Sequence, residues 1–406
     1  MRIGIVGGGA AGMFCALSLD GKKHQITVLE KNADTLKKLL ITGHGRCNVT
    51  NLKSSSQFLE NVPHNGQFLF SALNMFSPED MVEFLNNNKI EVAVEENNRV
   101  FPKTNKAATI KNCFDALAGF NADVKLETEV GLVSKQENEF KVETNKGTYY
   151  FDALVVATGG VTFPTTGSTG EGYKVANSFN LDVIRPRASL CGIRLINPPD
   201  GLEGTPLNCK LSIVDDGKVV SCNTGEFLFT NYGVSGPNVF TLTAKTEKHS
   251  VSGCDLSFDF LPDLTKEKVL GQLKQFIKDN VKKFVFYAVN NFVNVKLAKL
   301  ILLNCDIPEN KQCANLSNAE LNKIVDGLKT FNFKIDNFDN IERATVTRGG
   351  VNVKEINPKT MESKKVENLF FVGEVLDVDG FSGGYNLQIA FSTAFACATH
   401  LNNLGE

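Results

Sequence analysis

Continuous apolar runs and helically spaced apolar residues alternate at the start of the chain, which predicts strands and helices in turn. Residues 3–6 and 25–29 have the apolar pattern of buried strands, and residues 10–19 between them have helical spacing. These three segments predict a βαβ unit. Residues 153–157 predict a further buried strand.

The middle of the chain has a different pattern. Residues 190–260 carry short β runs separated by turn residues, and an Asp-Asp-Gly-Lys sequence within 211–222 is a hairpin signal. The pattern then becomes helical. Thr265 is the predicted cap of one helix, and Ser317 with Glu320 forms a predicted capping box at the start of another.

After about residue 338 the chain returns to the strand pattern, with a buried run at 369–372 and an apolar helix over 385–401. We therefore predict an α/β fold with a nucleotide-binding domain made from both chain ends. The predicted domains are the nucleotide-binding domain (1–188 and 341–406), a β-rich insert (189–263 with 331–340) and a helical insert (264–330).

Composition limits the classes of function. The 406 residues include 43 Lys and Arg against 45 Asp and Glu, a net charge of -2, so the charge balance predicts no nucleic-acid partner. Residues 284–305 are the longest apolar candidate for a membrane span, but Asn and Lys interrupt them. The ten cysteines show neither CxxC nor zinc spacing, which indicates reduced thiols, no metal site and a cytoplasmic protein.

The first chemical motif is a glycine-rich turn. Gly7, Gly9 and Gly12 form a GxGxxG sequence that follows a predicted strand and opens a predicted helix. Glu30 closes the next strand, 18 residues after Gly12. This context is typical of a dinucleotide site, in which the helix N-terminus binds the pyrophosphate and the acidic residue binds the ribose. A tight turn without a ligand is the alternative.

Two further segments point to a cofactor. Residues 42–51 combine two glycines, an arginine and two asparagines, which suits a loop lying along a ligand. Residues 372–388 carry Glu374 and Asp379, which suit polyol hydroxyls, before glycines that lead into a helix near Tyr385. An ordinary polar turn and a glycine-rich hinge are the alternatives.

Taken together, these motifs resemble the bacterial BaiN/YhiN-type flavoprotein family, whose members are often labelled aminoacetone oxidase family FAD-binding enzymes or NAD(P)/FAD-dependent oxidoreductases. They run in family order over nearly the whole chain. The motifs are GIVGGGAAG (4–12), TGHGRCNVTN (42–51), VVATGG (155–160), FLFTNYGVSGP (227–237), TRGGV (347–351) and GEVLDVDGFSGGYNLQ (373–388).

The resemblance implies a Rossmann-like FAD-binding domain built from both chain ends, a β-barrel-like insert and a small helical lid. It places the ribose on Glu30, the adenine on the backbone of Val130 at the end of a β segment over 124–130, and the flavin edge at Asn386. The residues implied to bind FAD are Gly7, Gly9, Ala10, Ala11, Gly12, Glu30, Lys31, Gly43, Gly45, Arg46, Cys47, Asn48, Val130, Ala157, Thr158, Gly159, Gly373, Glu374, Asp379, Gly384, Asn386 and Leu387.

Flavin chemistry implies hydride transfer to or from flavin N5, with the protein supplying orientation and electrostatics. Two side chains are candidates for catalysis. His44 could exchange a proton with the substrate because histidine titrates near neutral pH, and a solvated loop histidine is the alternative. Arg348 could bind an anionic substrate or stabilise reduced flavin, and a structural arginine is the alternative.

Other residues have two interpretations. Cys47 could form a redox pair with the flavin, but no neighbouring cysteine completes a disulfide, so a buried packing cysteine is favoured. The aromatic residues Phe284, Phe286, Tyr287 and Phe292 of the helical insert could line an apolar substrate pocket. Core packing of a small lid explains them as well.

The favoured hypothesis is an FAD-dependent oxidoreductase that acts on a small molecule, with NADH or NADPH as a candidate co-substrate. A flavin-bearing binding or regulatory protein without turnover is one alternative, because no convincing acid/base pair stands out. A flavin-free NAD-dependent dehydrogenase is another. A nucleic-acid-modifying flavoenzyme is a weaker alternative, since no basic patch is evident in the pattern.

Overall fold

The computed structural model describes residues 1–247 and 250–404, and it divides the chain into two compact units. The first unit comprises Met1–Ser189 and Asn340–Glu406, and the second comprises Leu190–Asp339. Both ends of the chain therefore belong to one folding unit.

The first unit opens with a mixture of strands and helices. Its strands up to the junction are β1 (Arg2–Val6), β2 (Gln25–Leu29), β3 (Thr50–Asn51), β4 (Val92–Glu95), β5 (Arg99–Pro102), β6 (Ala122–Lys125), β7 (Val130–Gln136), β8 (Glu139–Thr144), β9 (Gly147–Phe151), β10 (Ala153–Val156) and β11 (Val183–Ser189). Its helices there are α1 (Ala10–Ser18), α2 (Lys37–Ile41), α3 (Ser55–Leu59), α4 (Phe70–Met75), α5 (Pro78–Asn87), α6 (Ala107–Asn121) and α7 (Glu171–Ser178).

The second unit combines strands with a run of helices. Its strands are β12 (Ile193–Leu195), β13 (Pro206–Asp215), β14 (Lys218–Thr230), β15 (Gly233–Ser235), β16 (Asp255–Asp259) and β17 (Phe331–Phe338). Its helices are α8 (Pro237–Lys245), α9 (Lys266–Asp279), α10 (Val285–Asn290), α11 (Val295–Asn304) and α12 (Asn318–Lys329). The chain then returns to the first unit with β18 (Val346–Val351), β19 (Leu369–Phe371) and α13 (Tyr385–Asn403).

A five-stranded parallel sheet forms the centre of the first unit, in the order β19-β10-β1-β2-β6. β1 pairs with β10, aligning Ile3 with Ala153, and β10 pairs with β19, aligning Leu154 with Leu369. β1, β2, β10 and β19 are almost wholly buried, as expected for a parallel sheet covered on both faces, whereas the edge strand β6 is partly exposed. The predicted Rossmann-type α/β fold is confirmed, and its sheet contains strands from both ends of the chain.

The second unit contains a closed barrel, in the order β12-β15-β14-β13-β16-β17. Stacked phenylalanines fill it, including Phe229 and Phe258, whose ring centroids are 5.6 Å apart. Residues of the helices, such as Leu273 of α9 and Ile301 of α11, belong to the same hydrophobic cluster. The helical and β-rich parts, which the sequence predicts as separate domains, therefore share one core.

Two strand predictions need correction. Val130 does not end a β segment over 124–130, because β6 ends at Lys125 and Val130 begins β7. Between them Glu127 has a φ of 53°, which ends the strand, and the Thr128 backbone N–H donates to the Glu30 carbonyl oxygen at 2.8 Å. The short β runs predicted over residues 190–260 include one much longer strand, because β14 extends from Lys218 to Thr230.

The predicted capping box at the start of α12 is confirmed, and it provides a test of the helix. Ser317 Oγ accepts from the Glu320 N–H at 3.2 Å, and Glu320 Oε2 accepts from the Ser317 N–H at 2.9 Å. We expect Ser317→Ala to lower the free energy of unfolding by about 1 kcal/mol, because it leaves a helix-terminal N–H without its acceptor. Urea unfolding followed by circular dichroism measures this change.

The matched control is Ser55→Ala, which removes a hydroxyl that makes no hydrogen bond within residues 1–247 and 250–404. Equal midpoints for Ser317→Ala and Ser55→Ala would show that the cap does not contribute to stability.

Candidate functional site

The N-terminal glycine turn joins β1 to α1 through contacts that only glycine allows. Gly7 has a φ of 106°, and a Cβ there would lie 2.6 Å from the Ala157 carbonyl oxygen. A Cβ at Gly12 would overlap the Gly7 carbonyl oxygen. The N-terminus of α1 has neither a side-chain cap nor an acidic residue in its first turn, so its N–H groups and positive dipole end are available to an anion.

Glu30 lies directly after β2 and is fixed beside this turn. Its Oε2 accepts from the Gly8 N–H at 2.7 Å, and its Oε1 accepts from the backbone and side-chain amides of Asn32 at 2.8 and 2.7 Å. A carboxylate has about four acceptor positions, so Oε2 can still accept from a ribose hydroxyl. Lys31 points elsewhere, and its Nζ contacts Thr169 Oγ1 at 2.6 Å and Glu171 at 2.9 Å.

The C-terminal loop meets the N-terminal turn directly. Gly373, with a φ of 76°, approaches Ala11 so closely that a Cβ on Gly373 would lie 2.7 Å from the Ala11 Cβ. The Gly373 N–H donates to Thr393 Oγ1 of α13 at 3.0 Å, which fixes the loop to its own helix. The two segments therefore lie side by side, as a shared cofactor cleft requires.

The loop over residues 42–51 packs against the start of α13. Gly384, the N-cap of α13, has a φ of 97°, and a Cβ there would lie 2.5 Å from the Thr50 carbonyl oxygen. Asn51 Nδ2 donates to the Gly383 carbonyl oxygen at 2.9 Å, and Thr50 Oγ1 donates to Gln388 at 2.6 Å. α13 also begins without a side-chain cap or an acidic first turn.

Polar atoms without partners lie in these segments. Asn48 Oδ1, Asn51 Oδ1 and Thr158 Oγ1 are buried and have no hydrogen-bond partner within the described residues. Buried polar atoms are normally satisfied, so these three atoms suit a polar ligand. A Cβ at Gly9 would meet nothing within 4 Å, which leaves open space beside the turn. The donor set, the two uncapped helix ends and the open space fit a dinucleotide such as FAD.

Glu374 and Asp379, the two carboxylates predicted to bind polyol hydroxyls, both form ion pairs within the protein. Glu374 forms an ion pair with Lys38 at 2.8 Å and accepts from the Thr347 N–H at 3.0 Å. Asp379 is fully buried, where it accepts from Arg348 Nε at 3.1 Å and from Ser189 Oγ at 2.8 Å. Arg348 is also buried, so its side chain fixes this loop from inside the unit.

Asn386 also organises the loop. Its Oδ1 accepts from the Gly380 N–H at 2.9 Å, and its Nδ2 donates to the Gly380 carbonyl oxygen at 2.8 Å. Leu387 packs at the edge of the hydrophobic core. Gly159 has a φ of 71°, and a Cβ there would lie 3.8 Å from Glu374 Oε2, so the turn after β10 adjoins the same loop.

The three chemically active residues of the 42–51 loop face different surroundings. His44 is exposed and has a φ of 57°. Arg46 forms an ion pair with Glu95, and its guanidinium lies 4.1 Å from the centroid of the Phe101 ring. Cys47 is completely buried, and burial raises the pKa of its thiol to about 12, which favours the packing interpretation.

A histidine–aspartate pair at this loop was missed by sequence reasoning. His64 Nε2 lies 2.9 Å from Asp377 Oδ1, and Asn65 Nδ2 donates to Asp377 Oδ2 at 3.0 Å. The Asp377 side chain is 5% exposed and that of His64 is 32% exposed. No local motif marks this pair, because 313 positions separate the two residues.

Two kinds of feature are absent from residues 1–247 and 250–404. No group of three or more His, Cys, Asp or Glu side chains there could hold a metal ion. In the same part of the chain, no helix has the length and apolar character needed to cross a membrane.

The fold is that of a Rossmann-type protein, and both ends of the chain contribute segments to the candidate site. A family model described as "HI0933-like protein Rossmann domain" matches residues 1–400, and the chain belongs to this family. These are the YhiN/BaiN-type flavoproteins, so the resemblance found in the sequence is confirmed. The chain is, in general terms, a flavin-dependent oxidoreductase.

Individual proteins resemble the chain over most of their length. It is 30% identical to "Ribosomal RNA dihydrouridine synthase" of Haemophilus influenzae over 98% of each chain. It is 26% identical to "3-dehydro-bile acid delta(4,6)-reductase" of Clostridium scindens over 97% of each chain. Among solved structures, the Mycobacterium smegmatis Sdh1 complex in the apo form shares the fold, with a TM-score of 0.50, 13% identity and coverage of 100% of this chain and 70% of that chain.

Two glycine substitutions distinguish a packing role from a cofactor role. We expect Gly12→Ala to lower the free energy of unfolding by about 3 kcal/mol, because the new Cβ overlaps a backbone oxygen that cannot move aside. We expect Gly9→Ala to change it by no more than about 1 kcal/mol and to weaken FAD binding about tenfold or more, because its Cβ enters the open space.

Urea unfolding measures the first effect, and titration of the flavin-free protein with FAD measures the second. A Gly9→Ala protein that binds FAD as tightly as the unsubstituted protein would show that the open space is not the binding site of the pyrophosphate.

Proposed function

We propose that this chain is an FAD-dependent reductase that saturates a carbon–carbon double bond conjugated to a carbonyl group. The carrying observation is the contact of Gly373 with Ala11, which brings the N-terminal turn and the C-terminal loop side by side. When bound, FAD supplies hydride transfer at flavin N5. The N-terminus of α1 would hold the diphosphate, Glu30 the ribose, and the start of α13 the flavin edge.

The names of two relatives support this reaction class. Forming dihydrouridine from uridine saturates C5=C6, which is conjugated to the C4 carbonyl. A delta(4,6)-reductase acting on a 3-dehydro compound saturates a double bond conjugated to the C3 carbonyl. Both reactions add a hydride to one carbon and a proton to the other. The relatives thus share one chemical step although their substrates differ.

We propose a uridine base of ribosomal RNA as the first candidate substrate. The support is the 30% identity to a ribosomal RNA dihydrouridine synthase over 98% of both chains, against 26% for the bile acid reductase. This proposal departs from the expectation of no nucleic-acid partner, which rested on the net charge of -2 for the whole chain. A small enone is the second candidate, favoured by the bile acid reductase.

The proton in this reaction needs a donor, and His64 is better placed than the predicted His44. The buried Asp377 carboxylate lies 2.9 Å from His64 Nε2 and orients the ring, so a ring protonated on both nitrogens would have an Nδ1 proton to give to the substrate. The backbone of His64 pairs with that of Asp379 in an isolated β-bridge. His64 therefore lies against the loop that precedes α13. His44 lies exposed in a left-handed turn.

The reaction is tested with purified FAD-loaded protein under anaerobic conditions. We expect NADH or NADPH to bleach the flavin absorbance, and ribosomal RNA transcribed in vitro to restore it while gaining two hydrogens at a uridine, seen as a mass increase of about 2 Da after nuclease digestion. A 3-oxo-4,6-diene steroid is tested in parallel. A reduced flavin that neither compound reoxidises would reject the proposed reaction and favour a flavin protein without turnover.

The two histidines are separated by two matched substitutions. We expect His64→Asn to slow reoxidation of the reduced flavin by the substrate about 100-fold or more, because the general acid is lost. We expect it to leave flavin reduction by NAD(P)H unchanged, since that step needs no substrate proton. Stopped-flow absorbance measures both half-reactions. His44→Asn is the control, and a larger effect there would assign the proton to His44 instead.

A further inference from the structure

One segment of the second unit departs from the charge balance of the chain. Residues 264–300 contain eight lysines and only two acidic residues, a net charge of +6, whereas the whole chain carries -2. The lysines are Lys266, Lys268, Lys274, Lys278, Lys282, Lys283, Lys296 and Lys299. All eight side chains are exposed. The segment is therefore a basic region on an otherwise acidic protein.

Most of these charges are not neutralised by neighbours. Lys266 pairs with Asp326 at 2.6 Å, and Lys299 pairs with Glu309 at 3.2 Å. The other six lysines have no acidic partner within ion-pair distance among residues 1–247 and 250–404. A polyanion could bind them without first displacing an internal partner.

Exposed aromatic rings lie among these lysines. Phe284 is 43% exposed and Tyr287 is 51% exposed, and the Tyr287 N–H donates to the Phe284 carbonyl oxygen at 3.1 Å, so both lie on the first turn of α10. Tyr287 contacts Phe286 edge-on with centroids 5.4 Å apart, and Lys299 Nζ lies 6.0 Å from the Phe286 ring. One lysine of α11, Lys299, therefore lies beside the rings of α10.

We propose that this lysine–aromatic surface, formed by Lys282, Lys283, Phe284 and Tyr287, binds single-stranded RNA. Exposed lysines contact the phosphate backbone, and exposed rings stack on unpaired bases. A site that binds an anion by charge alone does not need half-exposed aromatic rings. RNA, in contrast, can contact both the lysines and the rings. The inference rests on the proposed function, because it names how an RNA substrate is held.

The proposed surface also explains how a chain with a net charge of -2 could bind RNA. Electrostatic attraction acts over about 10 Å at moderate salt, so RNA responds to the lysines near it more than to the net charge of the whole chain. The acidic remainder of the chain would repel RNA from other faces. Binding is then both local and oriented.

The test measures binding of a fluorescein-labelled single-stranded RNA oligonucleotide to the full FAD-loaded chain by anisotropy at several salt concentrations. We expect the K282E/K283E double variant to weaken binding about tenfold or more and to reduce the slope of log affinity against log salt by about 1.4, the value for two lost phosphate contacts on a single strand. The F284A/Y287A variant should weaken binding about tenfold while keeping the salt slope.

The matched control is K22E/K359E, which makes the same charge change at two exposed lysines of the first unit. We expect it to change RNA affinity less than about twofold. Equal weakening by K282E/K283E and K22E/K359E, absence of RNA binding by the unsubstituted protein at low salt, or stronger binding to anionic phospholipid vesicles than to RNA would each overturn the proposal.

Enzyme assays separate this proposal from the proposed function. FAD content and reduction of a soluble enone should be unchanged in K282E/K283E, because neither needs RNA. RNA bound at this surface without any reduction of uridine would reject the RNA substrate and retain the surface. Unchanged RNA affinity in K282E/K283E, together with uridine reduction, would reject the surface and retain the function.

Discussion

The close approach of Gly373 to Ala11 is the contact on which the rest of the site depends. It holds the end of the C-terminal strand β19 against the first turn of α1, and the missing Cβ at Gly373 is what allows it. The parallel sheet sets up this approach, because β19 and β1 both pair with β10 and end at the same edge. A ligand between the two helix N-termini is therefore contacted by the two ends of the chain.

Charge pairing fixes the loop that follows this contact. Three carboxylates on the loop after Gly373 each pair with a lysine, a histidine or an arginine from another segment of the chain. The pairs are Lys38–Glu374, His64–Asp377 and Arg348–Asp379. Of these three pairs, Arg348–Asp379 is buried on both sides, and removing one member of such a pair leaves an uncompensated charge and costs about 3–5 kcal/mol, which restricts the loop at this point. In the proposed site, such a loop would present α13 to FAD in one orientation, which is the preorganisation that catalysis by fixed dipoles needs.

Local sequence patterns predicted the fold well, but they did not predict which distant residues pair with one another. The glycine turn, Glu30 and the cap at Ser317 were predictable because each depends on a few neighbouring residues. The partner of Glu374 was not, since Lys38 lies 336 positions away and nothing in either segment specifies the other. The strand error at Val130 has a similar origin, because the left-handed backbone at Glu127 is rare for that residue type. Residue type therefore identified Glu374 and Asp379 as important, but only the fold showed what they bind.

The net charge of the chain likewise does not show how its charged residues are distributed over the structure. A net charge of -2 over 406 residues averages over distances far longer than the roughly 10 Å across which charges act in salt solution. The eight lysines of residues 264–300 lie between the start of α9 and the end of α11, and six of them have no acidic partner within ion-pair distance among residues 1–247 and 250–404. A chain can thus be acidic as a whole and still offer a basic surface to a polyanion. The electrostatic argument against nucleic acid holds for nonspecific binding to the whole protein, and it does not extend to a single surface of its second unit.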